Sequence, residues 1–198
     1  MRVHGDPISG NCYKVKLLLE LLGEAYDWVQ VDVVAGEARL PAFRALNANA
    51  SVPILELDDG TVLAESNAIL FYLAEGSAFL PADRLQRAQV LQWQCFEQYS
   101  HEPYIAVNRF IRHFQGMPQA RRAEFEGKVA GGYRALDVME RHLAERAFFV
   151  GDGLTIADIS LYAYTHVADE GGFDLSAHPA VGRWLARVAA WPGHVPMA

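Results

Sequence analysis

A hydroxyl and a side-chain amide lie close together at a strand-to-helix junction near the start of this chain. Ser9 and Asn11 follow a strand-like run from Arg2 to Gly5 and precede helical spacing of apolar residues over 11–22. The free N–H groups and the macrodipole at a helix N-terminus favour negative charge. A serine hydroxyl and an asparagine N–H₂ both donate hydrogen bonds, so either can stabilise an anion placed there. Both residue types are also common helix caps, which leaves a purely structural role open for each.

Two further segments offer groups that suit a peptide-like ligand. Ser51, Val52 and Pro53 stand directly before an apolar strand pattern, where proline is tolerated because its missing N–H falls outside the ladder. If the Val52–Pro53 bond is cis, the backbone N–H and C=O of Val52 turn outward and become available to a peptide. Glu65 and Ser66 stand at the next helix start, where the amides and the hydroxyl suit a carboxylate and Glu65 suits an ammonium.

These segments belong to a part of the chain in which strand and helix patterns alternate. Strand patterns over 2–5 and 26–34 enclose the first helical pattern, which predicts a β-α-β unit with a parallel strand pair. A hairpin is predicted around the turn at 58–60, and Ser66 is expected to cap the helix that follows it.

The remainder of the chain shows helical patterns without a convincing strand. A change of composition predicts a linker at 77–83, between a domain at 1–76 and an all-helical domain at 84–198. A long helix is expected over about 84–114, with a kink or break at Pro103. The predicted fold class is therefore α+β, with an α/β domain followed by an all-α domain.

One helix start in the second domain has a specific signal. Thr155 and Asp158 have the spacing of a capping box, with Asp in place of Glu, and predict a buried helix from Ile156. Further helices are predicted over 119–146 and 179–190. The core face of the first of these two is expected to contain Val129, Tyr133, Leu136, Met139 and Leu143.

Composition and charge disfavour several classes of function. The 198-residue chain has a net charge of −7 and no basic run, which argues against a nucleic-acid partner. No apolar stretch is long enough for a membrane span, and no signal-peptide h-region is evident at the N-terminus. Two cysteines are too few for a disulfide framework, so a cytoplasmic protein with reduced thiols is expected.

The chain contains four motifs in this order: the Ser9 loop, Ser51-Val52-Pro53, Glu65-Ser66-Asn67-Ala68-Ile69, and the segment 151–158. Together they resemble a cytosolic glutathione transferase, and more particularly a bacterial member of the serine type. The resemblance covers essentially the whole chain. It implies a thioredoxin-like domain followed by a helical bundle, glutathione as co-substrate, a small hydrophobic electrophile as second substrate, and a homodimer.

The resemblance also implies roles for individual residues. Ser9 is the first candidate to stabilise the glutathione thiolate, and Asn11 is the second. Many relatives have a His-Lys pair for the glycyl carboxylate where this chain has Ala38 and Arg39, so Arg39 is either a charge-assisted donor or a solvated surface residue. The other candidates for holding glutathione are Ser51, Val52, Pro53, Glu65 and Ser66.

The electrophile is expected to bind between the domains, against the kinked helix. Packing in the core is an equal alternative for each residue proposed to line this pocket, because aromatic and aliphatic stripes at helical spacing usually form cores. The candidates are Tyr104, Val107, Asn108 and Ile111, with Tyr13 and Phe110 as further possibilities. The histidines show no metal-ligand spacing, and no metal is predicted.

The cysteines suggest a separate chemistry that must be weighed. Relatives that react through their own cysteine have it where this chain has Ser9, whereas Cys12 lies three residues later. Cys12 is therefore interpreted as a small buried hydrophobe, and Cys95 is expected in the core. Two alternatives to a transferase stay open: a non-catalytic binding or regulatory protein, and a glutathione-dependent thiol-disulfide oxidoreductase or peroxidase.

Overall fold

The structure, a computed structural model, describes residues 1–197 and divides them into two compact units. The first contains Met1–Ser77 together with the chain from Pro192 onward, and the second contains Ala78–Trp191. The C-terminal segment joins the first unit because the Tyr13 hydroxyl donates to the carbonyl of Val195 over 2.8 Å. Within the described residues, no helix has the length and apolar character that crossing a membrane requires.

The first unit is built on a four-stranded mixed sheet in the order β2-β1-β3-β4. Strand β1 runs parallel to β2 and antiparallel to β3, and β3 pairs with β4 in a hairpin. The predicted β-α-β unit and hairpin are confirmed, although β2 is shorter than its sequence pattern. The strands are β1 (Arg2–Gly5), β2 (Asp27–Gln30), β3 (Ile54–Glu56) and β4 (Val62–Ala64).

Helices pack on the sheet through two separate apolar clusters. Successive residues of a strand point to opposite faces, so Leu55 belongs to one cluster and Ile54 to the other. The first cluster joins the sheet to α1 and α3 through Val15, Leu19 and Ile69. The helices of this unit are α1 (Gly10–Leu22), α2 (Pro41–Leu46) and α3 (Ser66–Leu73), with a 3₁₀ turn at Glu37–Arg39.

The second unit is all-helical, as its sequence pattern predicts. The predicted break at Pro103 is confirmed, since a wide π-helical turn at Glu97–His101 separates two helices there. Proline has no N–H, and its ring clashes with the carbonyl four residues earlier, so a regular α-helix cannot continue through it. The helices are α4 (Arg84–Phe96), α5 (Glu102–Arg109), α6 (Arg122–Leu143), α7 (Ile156–Thr165) and α8 (Pro179–Ala189).

The core face of α6 differs from its sequence pattern. Val129 and Tyr133 are only partly buried, whereas Gly131 is fully enclosed. A Cβ atom at Gly131 would lie 2.1 Å from the Tyr104 ring, so the glycine is needed for the close approach of α5 to α6. A glycine has no side chain to count in a hydrophobic pattern, which explains why the pattern missed it. The predicted core residues Leu136, Met139 and Leu143 are buried.

The capping box at the start of α7 is confirmed. The Asp158 carboxylate is fully buried and accepts hydrogen bonds from the Thr155 backbone N–H (3.0 Å) and hydroxyl (2.9 Å). It also accepts from the Phe149 backbone N–H at 3.0 Å and the Trp184 indole N–H at 2.9 Å. These bonds tie α7, α8 and the preceding loop to one carboxylate. Burial nevertheless raises the pKa of Asp158 to about 6.

We expect Asp158→Asn to destabilise the protein more than Thr155→Ala does. An asparagine N–H₂ among these donors leaves N–H groups unpaired, at a cost of about 2–4 kcal/mol of unfolding free energy. Loss of the threonine hydroxyl costs about 1 kcal/mol. Urea unfolding followed by circular dichroism measures both values, and a smaller effect at Asp158 than at Thr155 would contradict this account.

The wild type and Asp158→Asn should also differ in how their stability depends on pH. Burial raises the pKa of Asp158 from 3.8 to about 6, so between these values the native state holds a proton that the unfolded chain releases. The contribution of this group to stability therefore falls as pH rises through that window and is constant above it. The difference in unfolding free energy between the wild type and Asp158→Asn should become smaller as pH rises. A difference that becomes larger would contradict a raised pKa for Asp158.

Candidate functional site

Ser9 caps α1 with its side-chain hydroxyl. Its backbone is extended, and its Oγ accepts the backbone N–H of Cys12 at 3.4 Å. A serine hydroxyl has one donor and two acceptor positions, so this bond uses an acceptor position, and the hydroxyl also hydrogen-bonds the adjacent Cys12 thiol. A hydroxyl rotates about its C–O bond, so an anionic ligand can compete for its proton. Ser9 is half-buried. The structural cap and the proposed donor are therefore compatible roles of one residue.

A buried aspartate shapes the loop that leads to Ser9. The Asp6 carboxylate accepts the backbone N–H groups of Ile8 at 3.1 Å and Val33 at 2.9 Å, and the Asp6 carbonyl accepts the Ser9 N–H at 3.0 Å. Its partner Val33 is distant in sequence, so local pattern alone could not assign this role. The Asp-Pro pair at 6–7 signalled only a turn.

Asn11 joins the starts of two helices. Its Oδ1 accepts the Ser66 hydroxyl at 3.1 Å and the Lys14 ammonium at 2.8 Å. Ser66 and Lys14 are both buried. The structure therefore brings two of the sequence-predicted residues, Asn11 and Ser66, into direct contact. Lys14 was not singled out by the sequence analysis, because a lone lysine in a helical pattern is normally interpreted as a solvated residue.

Cys12 is enclosed and Cys95 is not. The Cys12 side chain has no exposed surface, and desolvation by burial raises the pKa of its thiol to about 12. The small-hydrophobe interpretation of Cys12 agrees with both observations. The expectation that Cys95 lies in the core is wrong: it is exposed on α4. The buried side of α4 contains Val90, Trp93 and Gln94.

The loop before β3 contains the predicted backbone edge, and the Val52–Pro53 bond is cis. Asn47, which is nearly buried, donates its amide N–H₂ to the Ser51 carbonyl at 2.8 Å. The Ser51 hydroxyl is exposed and donates to the Asn49 carbonyl at 3.3 Å. Asn47 thus shapes the loop from within, a role that its position in sequence did not reveal.

Glu65, rather than Ser66, occupies the cap position of α3. Ser66 is the first helical residue, so the expectation that Ser66 caps this helix is wrong. The backbone of Glu65 has a φ of 67° and a ψ of 112°. Residues other than glycine rarely adopt this region, and the strain costs about 1–3 kcal/mol of conformational energy. The Glu65 side chain makes no capping bond and is exposed. Backbone strain of this kind clusters at ligand-binding sites.

Arg39 ends the 3₁₀ turn before α2, with its side chain exposed and the neighbouring Ala38 buried. Its backbone N–H donates to the Gly36 carbonyl at 2.9 Å. The Arg39 guanidinium is therefore accessible, which is compatible with a charge-assisted donor and also with a solvated surface residue. Among the described residues, no cluster of three His, Cys, Asp or Glu side chains is arranged to bind a metal.

The proposed pocket residues of the second unit differ in their accessibility. Tyr104 and Val107 are partly exposed on α5, whereas Asn108 and Ile111 are fully buried. The Asn108 amide N–H₂ donates to the Phe125 carbonyl at 3.2 Å. Tyr13, in the first unit, is also buried through its bond to the C-terminal segment.

Two comparisons with known proteins bear on this arrangement. Residues 8–75 match the family profile described as glutathione S-transferase, N-terminal domain, and residues 120–187 match that of the C-terminal domain. A solved glutathione S-transferase from Pseudomonas fluorescens is 58% identical, with a TM-score of 0.97 and coverage of 99% of this chain and 98% of that chain.

Two more distant proteins are also similar to this chain. A maleylacetoacetate isomerase from Rhizobium meliloti is 34% identical over 192 residues, which cover 92% of this chain and 90% of that protein. A glutathione transferase from Burkholderia graminis, solved with two glutathione molecules bound per subunit, is 28% identical, with a TM-score of 0.84 and coverage of 97% and 84%.

The family assignment follows from both halves of the chain. The two matched segments stand in the family's order, and they coincide with a mixed α/β sheet unit and an all-helical unit. A solved member superposes over nearly the entire chain. The chain therefore belongs to the cytosolic glutathione transferase family.

Proposed function

We propose that this protein is a glutathione transferase, which binds glutathione as a thiolate and conjugates it to small hydrophobic electrophiles. The observation that carries the proposal is the half-buried Ser9 hydroxyl at the N-terminus of α1, where a hydroxyl donor and the helix N–H groups together favour an anion. A free thiol has a pKa of about 8.5, and a helix N-terminus lowers it. A drop of two units corresponds to about 2.7 kcal/mol of preference for the thiolate.

Groups on three loops support glutathione binding. We assign the γ-glutamyl ammonium to the exposed Glu65 carboxylate, and the γ-glutamyl carboxylate to the N-terminus of α3 at Ser66. The peptide part is assigned to the segment Ser51-Val52-Pro53. Arg39 is assigned to the glycyl carboxylate, because its guanidinium is exposed on a neighbouring turn.

Transfer requires only a sulfur nucleophile and an electrophilic carbon. The sulfur–carbon bond forms as the bond from that carbon to its leaving group breaks, and the leaving group departs with the electron pair. Ser9 and Asn11 lower the energy of the anionic sulfur before attack. We assign the electrophile to the α5 face that contains Tyr104 and Val107, with Asn108 and Ile111 supporting that face from the interior.

The thiol-disulfide alternative through Cys12 has less support. A thiol with a pKa of about 12 is almost entirely protonated at neutral pH, and this one is also inaccessible. The non-catalytic alternative differs in one observable, because a binding protein would show glutathione association without turnover. Isothermal calorimetry with glutathione, followed by turnover assays on aryl halides, peroxides and mixed disulfides, separates these functions. We place the protein in the cytoplasm, on the basis of its composition.

We expect Ser9→Ala to lower kcat/KM by about ten- to a hundredfold at neutral pH, because a hydrogen bond to a charged group is worth about 1.5–3 kcal/mol. Cys12→Ala, which alters the neighbouring thiol without removing the Ser9 donor, should retain activity. Steady-state kinetics with an aryl halide measures both variants. Loss of activity in Cys12→Ala with retention in Ser9→Ala would favour the thiol-disulfide alternative.

Arg39→Ala should weaken glutathione binding about tenfold, since a charge-assisted bond to a carboxylate is lost. Arg44→Ala is the matched control, because Arg44 is also an exposed arginine, on the adjacent α2. Calorimetric titration gives both dissociation constants. Equal constants for the two variants would show that Arg39 is a solvated surface residue.

We also propose a homodimer. Leu85, Leu91 and Tyr99 have exposed fractions of 66%, 53% and 86%, and they follow one another along α4 and its π-helical turn. Apolar side chains exposed in a row suit a second copy of the chain. Sedimentation velocity should give about twice the chain mass of 22.0 kDa. A monomer at micromolar concentration would refute the proposal.

A further inference from the structure

Lys14 is a buried lysine whose role the assignments above leave unexplained. It lies on α1, one helical turn after Asn11, and has no exposed surface. Lysine is almost never fully buried unless it is paired, because removing its charge from water is costly. Its Nζ donates to Asn11 Oδ1 at 2.8 Å. A buried cation therefore contacts a side chain that is proposed to touch the glutathione sulfur.

This contact determines how the Asn11 amide is oriented. A lysine ammonium has three donors and no acceptor, so the Asn11 atom facing it must be the amide oxygen. The Ser66 hydroxyl lies 3.1 Å from the same oxygen and also donates to it. The amide oxygen is thus occupied from two sides, and the N–H₂ group points away from both partners.

Lys14 and Ser66 are not equivalent as partners of this oxygen. Ser66 begins α3, where the γ-glutamyl carboxylate is assigned, and that carboxylate competes for the Ser66 hydroxyl proton. Lys14 belongs to the same helix as Asn11, one turn away, and lies outside the segments to which glutathione is assigned. The lysine can therefore hold the amide in place while ligand is bound.

We propose that Lys14 is a positioning residue for the transferase reaction. It fixes the Asn11 side chain so that the N–H₂ group donates to the glutathione sulfur, and this donation favours the thiolate. The inference rests on the proposed function, and it adds a residue that acts on the sulfur only through another side chain.

The test measures the pKa of the bound glutathione thiol. Ultraviolet absorbance of the thiolate is followed against pH in protein saturated with glutathione. Lys14→Met, which is similar in length, should raise this pKa by about one unit. Lys14→Arg retains donors and should restore most of the effect. Lys16→Met is the matched control: it removes the same charge from the same helix, where Lys16 instead donates to the Pro196 carbonyl at 3.2 Å.

A double-mutant cycle separates positioning from direct attraction between charges. Asn11→Ala should raise the thiol pKa by a similar amount, and Lys14→Met should add nothing further in that background. An unchanged pKa in Lys14→Met, or a full extra shift in the Asn11→Ala background, would overturn the inference. If Lys14→Met does not fold, an unchanged pKa in Asn11→Ala overturns it equally.

Failure of this inference is distinguishable from failure of the proposed function. If wild-type protein shows no heat of binding with glutathione and no thiolate absorbance, the proposed function fails. If the wild type shows both and the Lys14 and Asn11 variants match it, only the positioning role fails. Thermal melts of all variants show whether a lost signal reflects lost folding.

Discussion

The oxygen of one half-buried amide joins the two helix starts on which the proposed glutathione site depends. Asn11 on α1 accepts the Ser66 hydroxyl from the start of α3, and both helices share an apolar cluster beneath the site. The polar contact alone is worth only about 1 kcal/mol. Its geometry is maintained because Val15, Leu19 and Ile69 hold the two helices against the sheet. The chemistry at the surface therefore depends on the packing of a core that takes no part in it.

Helix starts differ in how completely their polar groups are used. Asp158 accepts hydrogen bonds from Thr155 at the start of α7, and the Glu140 carboxylate accepts the Ala180 and Val181 N–H groups at the start of α8. Those termini are structural, because a ligand would have to displace good hydrogen bonds. At α3, by contrast, the Glu65 side chain makes no capping bond.

Much of this arrangement follows from local sequence. The β-α-β unit, the hairpin, the break at Pro103 and the α7 capping box all have short-range causes, so periodicity and turn residues suffice to predict them. Three buried polar residues that shape the site were missed. Lys14, Asp6 and Asn47 are defined by partners or burial that no local pattern shows.

The incorrect predictions also arise from contacts that a local sequence pattern does not show. The exposure of a side chain depends on what packs against its helix, and a hydrophobic pattern gives only the average direction of the buried face. Cys95 lies beyond the edge of that face, and Gly131 lies inside the α6 face because the Tyr104 ring needs the space. The left-handed backbone at Glu65 is likewise set by the hairpin and helix on either side of it.

The contrast between the two thiols has a practical consequence. Since Cys12 is enclosed and holds its proton tightly, a maleimide dye has a single accessible attachment point, at Cys95 on α4. The natural sequence therefore permits fluorescent labelling at one defined position without engineering. That position lies among the exposed apolar residues of α4, so the dye would report directly on whether this helix is covered in solution.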